Sequence, residues 1–241
     1  MTMIIGIIAE TGIILASDTR CMIGDPPNYI GYHDQARKIV LSPHQALSPI
    51  ACAIARSGRI EFNGTTTQAT QKVLSNPRFV PTTLLSHVHD EFERPYKAIN
   101  SELPIAKLSI VAIFAKFENG CPCLSYGNLS TEIQCIRKSG MFSHPGLTDN
   151  PFENIMPSKD KAVQFVRDSI IKRSSPKSGI GSVIDIIHLT SHNIEYVQGQ
   201  DRDILPTQPK KLYEEYKRNP SIITLLAESN LLEEWFKRYS H

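Results

Sequence analysis

Apolar residues crowd the start of the chain. MTMIIGIIAETGIILASDTR holds two apolar runs joined by a polar turn at Glu10-Thr11-Gly12, and the second run ends on Ser17-Asp18-Thr19-Arg20. Two such runs around a glycine-bearing turn predict a β-hairpin, here closed by a charged Asp-x-Arg. Residues 21–37 carry Gly, Pro, Asn and Asp and read as an irregular excursion. Residues 38–41 read as a short strand, and PIACAIAR (49–56) as an apolar, small-residue strand ending at Ser57-Gly58.

The period then changes. Residues 59–76 and 82–100 read as two helices divided by Asn76-Pro77 and Pro81, the second with Leu84, Leu85, Val88 and Phe92 at helical spacing. Strand patterns return at 107–117, 121–126 and 131–138, and a Gly/Pro/Ser/Asn-rich loop covers 139–157. Ser158 opens a helix to about residue 172, and SSPKSGIGS (174–182) leads into a strand at 183–189 with a hairpin partner at 193–197. The tail, 208–239, reads as helical. Strands grouped in blocks with short turns predict antiparallel sheets, and the helices between the blocks predict helical layers outside them. The expectation is an α/β (α+β) chain with sheet packed on sheet.

Composition narrows the function classes. The chain has 241 residues, 41% hydrophobic and 21% charged, enough for a sizeable core. A formal net charge of +2 argues against nucleic acid or an anionic membrane as partner, and Lys210-Lys211 reads as solvated surface. Five cysteines, an odd number in a long chain, argue against a disulfide framework. Cys121-Pro122-Cys123 lacks the two-residue spacing of a zinc pair, so buried free thiols are expected there. No apolar run reaches the length of a membrane span, and the start lacks the basic region of a signal peptide, so the cytoplasm is expected. His87 and His89 would point to different faces of a helix and make a poor metal pair. SGIGS (178–182) lacks the lysine of a phosphate loop.

The chemistry lies at the front. Thr2 follows the initiator methionine with no propeptide, so removal of Met1 is expected to make it the mature N-terminus. Such a threonine carries its own base, the α-amine, whose ordinary pKa of about 7.7–8.0 a neighbouring lysine lowers. The hairpin returns Asp18 beside Thr2, where a carboxylate can hold that lysine.

With these residues in view, the stretch from Thr2 through Gly12 to Ala16-Ser17-Asp18-Thr19-Arg20 resembles the opening of a proteasome β-type subunit, within the N-terminal nucleophile hydrolases. The resemblance covers roughly residues 2–200 and is strongest in the first twenty. It implies a four-layer αββα sandwich of two antiparallel sheets over 1–207, with 208–241 as a C-terminal helical extension. Lys38-Ile39-Val40 matches the strand of the catalytic lysine, after a slightly longer loop. Gly58 matches the glycine whose N–H serves the oxyanion hole, and Ser178 the loop serine that supports the threonine. The family's aspartate three residues before that serine is replaced by Ser175. A further supporting serine matches either Ser139 or Ser143. The layout is most similar to the Anbu and HslV-like branch.

The resemblance implies a threonine endopeptidase without metal or cofactor, acting on peptide or unfolded protein. It implies self-association into a ring or larger oligomer, with an ATPase unfoldase among the partners to look for. Two other readings stay open: a non-catalytic scaffold subunit, for which Ser175 speaks, and an amidohydrolase of small amides on the same fold.

Overall fold

The chain is seen in a computed structural model that describes residues 2–25, 28–42, 49–56, 67, 70–72, 74–75, 110–128, 133–148, 150–176, 178–200 and 209–239. The first twenty residues form the predicted hairpin. β1 (Ile4–Ala9) pairs antiparallel with β2 (Gly12–Asp18), Ile4 opposite Ser17 and Ala9 opposite Gly12. Every residue of both strands is buried, which explains why they read as unbroken apolar runs rather than as an alternation.

The next segment departs from its sequence reading. Instead of an irregular excursion, β3 (Cys21–Asp25) and β4 (Asn28–His33) form a second hairpin. β5 (Ile39–Leu41), β6 (Ile50–Arg56), β7 (Ile110–Glu118), β8 (Cys121–Asn128) and β9 (Gln134–Ile136) follow. The expected loop at 139–157 contains β10 (Gly140–His144), and α1 (Lys159–Arg173) begins at its predicted cap, where Ser158 accepts a hydrogen bond from the Lys161 N–H. β11 (Ile184–Leu189) and β12 (Ile194–Gln198) form the last predicted hairpin. The tail is not one helical run. It holds α2 (Pro209–Arg218), a 3₁₀ turn at Pro220–Ile222, a short β13 (Thr224–Leu225) and α3 (Ser229–Tyr239).

Two five-stranded antiparallel sheets carry the molecule, in the orders β10-β1-β2-β11-β12 and β5-β6-β7-β8-β9. Ile4, Ile8, Ile13, Leu15, Ile187 and Leu189 of the first sheet pack on Ala51, Ala53, Ile113 and Leu124 of the second. The opposite face of the first sheet, with Ile5, Ile7, Ile14 and Ile186, packs on Ala162, Val163, Val166 and Ile170 of α1. This is an α+β sandwich with a helix on the outside of the first sheet and helices at the C-terminus. The helices expected at 59–76 and 82–100 lie largely outside the described residues, although Thr67, Thr70, Gln71, Lys72 and Leu74 are helical. A third sheet, β13-β4-β3, is covered by Leu212, Leu232, Trp235 and Phe236 of α2 and α3. Among the described residues no helix is long and apolar enough to cross a membrane.

Candidate active site

The hairpin brings Asp18 back to the start of the chain. Its turn depends on Gly12, whose φ of +151° disfavours a side chain and whose Cβ would meet the Leu189 carbonyl oxygen at 2.3 Å. At the open end the strands clasp each other. The Asp18 N–H donates to the Met3 carbonyl at 3.1 Å, and the Met3 N–H donates to Asp18 Oδ1 at 2.7 Å. The carboxylate is thus fixed to the residue that directly follows Thr2.

Three further donors converge on Asp18 Oδ2. Lys38 Nζ lies at 2.9 Å, the Arg20 N–H at 3.0 Å and the Gly181 N–H at 3.1 Å. Both members of the ion pair are out of solvent, Asp18 fully and Lys38 at 4% exposure. Desolvating two charges is costly, and only close geometry with additional hydrogen bonds offsets it. Asp18 has both. Lys38 reaches it from the second sheet, held where the Ile54 N–H donates to the Lys38 carbonyl and Ile39 pairs with Ala53. The site therefore ties the hairpin of one sheet to the first strand of the other.

Arg20 answers why a charge closes an apolar hairpin. Its guanidinium grips Asp34 with two bonds of 2.8 Å, donates to the carbonyls of Ser175 and Ile180, and lies 3.7 Å over the Tyr32 ring. The hydrogen bond to Asp34 raises its pKa further, against a smaller opposing effect of burial. Thr19 completes the seam, its hydroxyl within reach of the Asp34 and Val183 carbonyls. Ser175, Ile180 and Gly181 are in this way held against the end of the hairpin, with the Gly181 N–H aimed at Asp18. A Cβ on Gly181 would meet Asp34 Oδ1 at 2.7 Å and Arg20 Cβ at 2.9 Å.

Ser178 sits in that clamped loop. Its hydroxyl accepts from the Ser175 and Ile180 N–H groups and donates to the Ser175 carbonyl, while the Ser178 N–H donates to Ser175 Oγ at 2.9 Å. Ser175, which replaces the expected aspartate, thus supplies a side-chain acceptor at the same place. Buried His33, the last residue of β4, has its pKa lowered to about 4 by burial first and by Lys38 second, with Asp34 opposing. It is a neutral imidazole at neutral pH and adds no second cation beside Lys38.

Not every expected residue joins this cluster. The register of β1 with β10 sets Ile4 opposite His144 and Ile8 opposite Gly140, so Ser139 stands at the turn end of the hairpin, far along the strand from Thr2. Its hydroxyl donates to the Glu153 carbonyl. Ser143 pairs with Ile5, on the face turned to α1, and its hydroxyl accepts from the Leu147 N–H. Gly58, Met1, His87 and His89 lie outside the described residues. Thr2 is half-buried at the mouth of the hairpin, and the Ser17 hydroxyl, fully buried opposite Ile4, has no hydrogen-bond partner. The expected buried thiols are only partly so: Cys123 is buried, but Cys121 is exposed. Among the described residues no group of three or more His, Cys, Asp or Glu side chains gathers to hold a metal ion.

Asp34, Gly181 and His33 escaped the sequence reading. Each acquires its role through distant partners; Gly181 stands in the SGIGS stretch set aside as a phosphate loop, and Asp34 and His33 stand in no motif.

No family model matches the sequence, and no curated protein matches it. Solved structures do match the fold. Anbu (ancestral beta-subunit) from Yersinia bercovieri superposes with a TM-score of 0.55 at 14% identity, over 91% of this chain and 95% of that one. Anbu from Hyphomicrobium sp. strain MC1 gives 0.52 at 14% identity with the same coverage. The chain therefore shares the fold of these Anbu structures.

Proposed function

We propose that the chain is a threonine peptidase of the proteasome β type, with Thr2 as nucleophile once Met1 is removed. The observation that carries this reading is the convergence on Asp18: one carboxylate binds both the Met3 N–H, next to Thr2, and the Lys38 ammonium. A positive charge is held at the root of the chain, where it favours the neutral form of a threonine α-amine. The neutral amine takes the Thr2 hydroxyl proton, directly or through a water, as Oγ attacks the peptide carbonyl. The proton then passes to the leaving amine, and water releases the acyl group by the same route. Gly58 is the proposed oxyanion donor and Ser178, in the clamped loop, the proposed support for Thr2. No step calls for a metal or cofactor.

Ser175 in place of the aspartate speaks for the scaffold reading, as would retention of Met1, but Ser175 Oγ accepts the Ser178 N–H as an aspartate would. The peptidase reading is favoured for that reason. By the same resemblance we propose a ring-forming oligomer that takes unfolded polypeptide, with an ATPase unfoldase as a partner. Hydrolysis of a fluorogenic peptide and of an unfolded protein by the purified chain tests the activity. Turnover that is lost in Thr2→Ala supports it, and turnover that survives Thr2→Ala refutes it.

A further inference from the structure

Cys123 and Cys135 stand apart from the cluster around Asp18. They lie on β8 and β9, at the other edge of the second sheet from the strand that follows Lys38. Ser125 pairs with Cys135, so Cys123, two residues from Ser125, faces the same side and meets Cys135 diagonally. Their sulfurs are 3.1 Å apart, against a bond length of about 2.05 Å in a disulfide. The two thiols differ in setting. Cys123 is 2% exposed, whereas Cys135 is exposed on the outer strand of the sheet. Arg137 hydrogen-bonds to the Cys135 sulfur and is itself ion-paired with Glu118 at 2.7 Å, and Lys116 binds the same carboxylate. Partial burial pushes the Cys135 thiol up, but hydrogen bonds from Cys123, Ser125 and Arg137 outweigh it and leave it lowered. Burial, reinforced by Cys135, pushes Cys123 up to about 11.

We propose that Cys123 and Cys135 are a redox-active dithiol, in which Cys135 reacts with hydrogen peroxide and Cys123 resolves the product into a disulfide. The exposed sulfur is the one an oxidant reaches, and the buried sulfur is already in contact with it. In the first step the Cys135 thiolate attacks a peroxide oxygen. The O–O bond breaks, Cys135 becomes a sulfenic acid, and the departing oxygen leaves as hydroxide and takes up a proton. In the second step Cys123 attacks the Cys135 sulfur, the S–S bond forms, the S–O bond breaks, and water leaves with the Cys123 proton. Two thiols lose two electrons and the peroxide is reduced to two waters. A low-molecular-weight thiol reverses the change by exchange. The link joins the short outer strand β9 to β8.

Hydrogen peroxide at low molar excess on the full-length protein tests this. The Cys121→Ser variant is used so that Cys121 cannot compete, and trypsin with a glutamate-specific protease cuts at Glu132 to part the two cysteines. The expected product is a Cys123–Cys135 linked peptide, lighter by two hydrogen atoms than its reduced components and separated again by dithiothreitol. Cys123→Ser should lose the link and carry a dimedone adduct on Cys135, whereas Cys135→Ser should give neither link nor adduct at Cys123. Free alkylated Cys123 and Cys135 after peroxide has oxidised the exposed methionines would overturn the proposal, as would dimedone on Cys123 in the absence of Cys135. In the parent chain, fragmentation of the linked peptide between Cys121 and Cys123 decides the matter even if a serine variant fails to fold.

Discussion

At the scale of residues, the buried pair Asp18–Lys38 is the centre of the proposed site and a sensitive point in the stability of the chain. Both side chains are buried, so removing one strands the other. Asp18→Asn and Lys38→Met should each cost about 3–5 kcal/mol, and the double variant much less than the sum, since it leaves no unpaired charge. Urea denaturation measures this cycle. Peptidase activity should be absent from all three variants, including the double variant with restored stability. Recovery of activity along with stability would make the pair structural only.

His33 supplies a pH dependence of its own. Its folded pKa of about 4 lies below the ordinary 6.5, so the unfolded chain binds more protons between those values. Its contribution to stability is intact above about pH 6.5 and is lost as pH falls toward 4, up to about 3 kcal/mol at 1.36 kcal/mol per pKa unit. The group is buried, and Lys38 and Asp34 are the charged groups that act on it. The urea midpoint of His33→Gln should therefore vary less between pH 6.5 and 4 than that of the parent chain. Equal slopes for the two proteins would contradict this account.

At the scale of elements, what was legible in the sequence follows from burial. The first hairpin, α1 and the β11–β12 hairpin combine a strong pattern with local punctuation by Gly12, Ser158 and Asn193, and all three form as read. β3–β4 and β10 have the sequence of loops, because glycine and proline stand in or beside them, and the intermittent burial of β4 leaves no strong apolar alternation to mark it. Their pairing is set by strands distant in sequence, as where Ile5 meets Ser143. The tail was read as helical from its apolar spacing. In fact Leu225 pairs with Gly31, a contact between residues nearly the whole chain apart. The site divides in the same way. Asp18 and Lys38 were legible because a hairpin and a resemblance place them. The Arg20–Asp34 clamp and the Gly181 donor were not, because they arise where residues 175–181 meet the hairpin.

That loop makes a prediction at its own scale. Gly181→Ala would force a Cβ into the Arg20–Asp34 clamp and tilt the Gly181 N–H from Asp18. Activity should fall at least tenfold, the equivalent of about 1.4 kcal/mol, while circular dichroism shows the sheets retained. Unchanged activity would show that the clamp does not position the site.

At the scale of the whole molecule, the tail serves its own chain first. Leu212, Ile223, Leu232, Trp235 and Phe236 are buried against β3 and β4, so most of the apolar surface of the tail is covered within the chain. Leu225, Leu226 and Leu231 remain exposed at 37%, 42% and 43%. On the ring reading these leucines contribute to contacts between copies. Light scattering at micromolar concentration should give a particle well above a dimer, and Leu226→Glu with Leu231→Glu should reduce its size. A monomer for the parent chain would refute the ring.

The central claim is that Thr2, freed at its amine, is the nucleophile served by Lys38 through Asp18. Intact mass followed by fragment mapping, after reaction with a peptide electrophile specific for N-terminal threonine, tests it most directly. The account predicts a chain lacking Met1 that carries one adduct on Thr2, with no adduct in Lys38→Met. A chain that retains Met1 throughout and takes up no label, or takes it up at another residue, would contradict it.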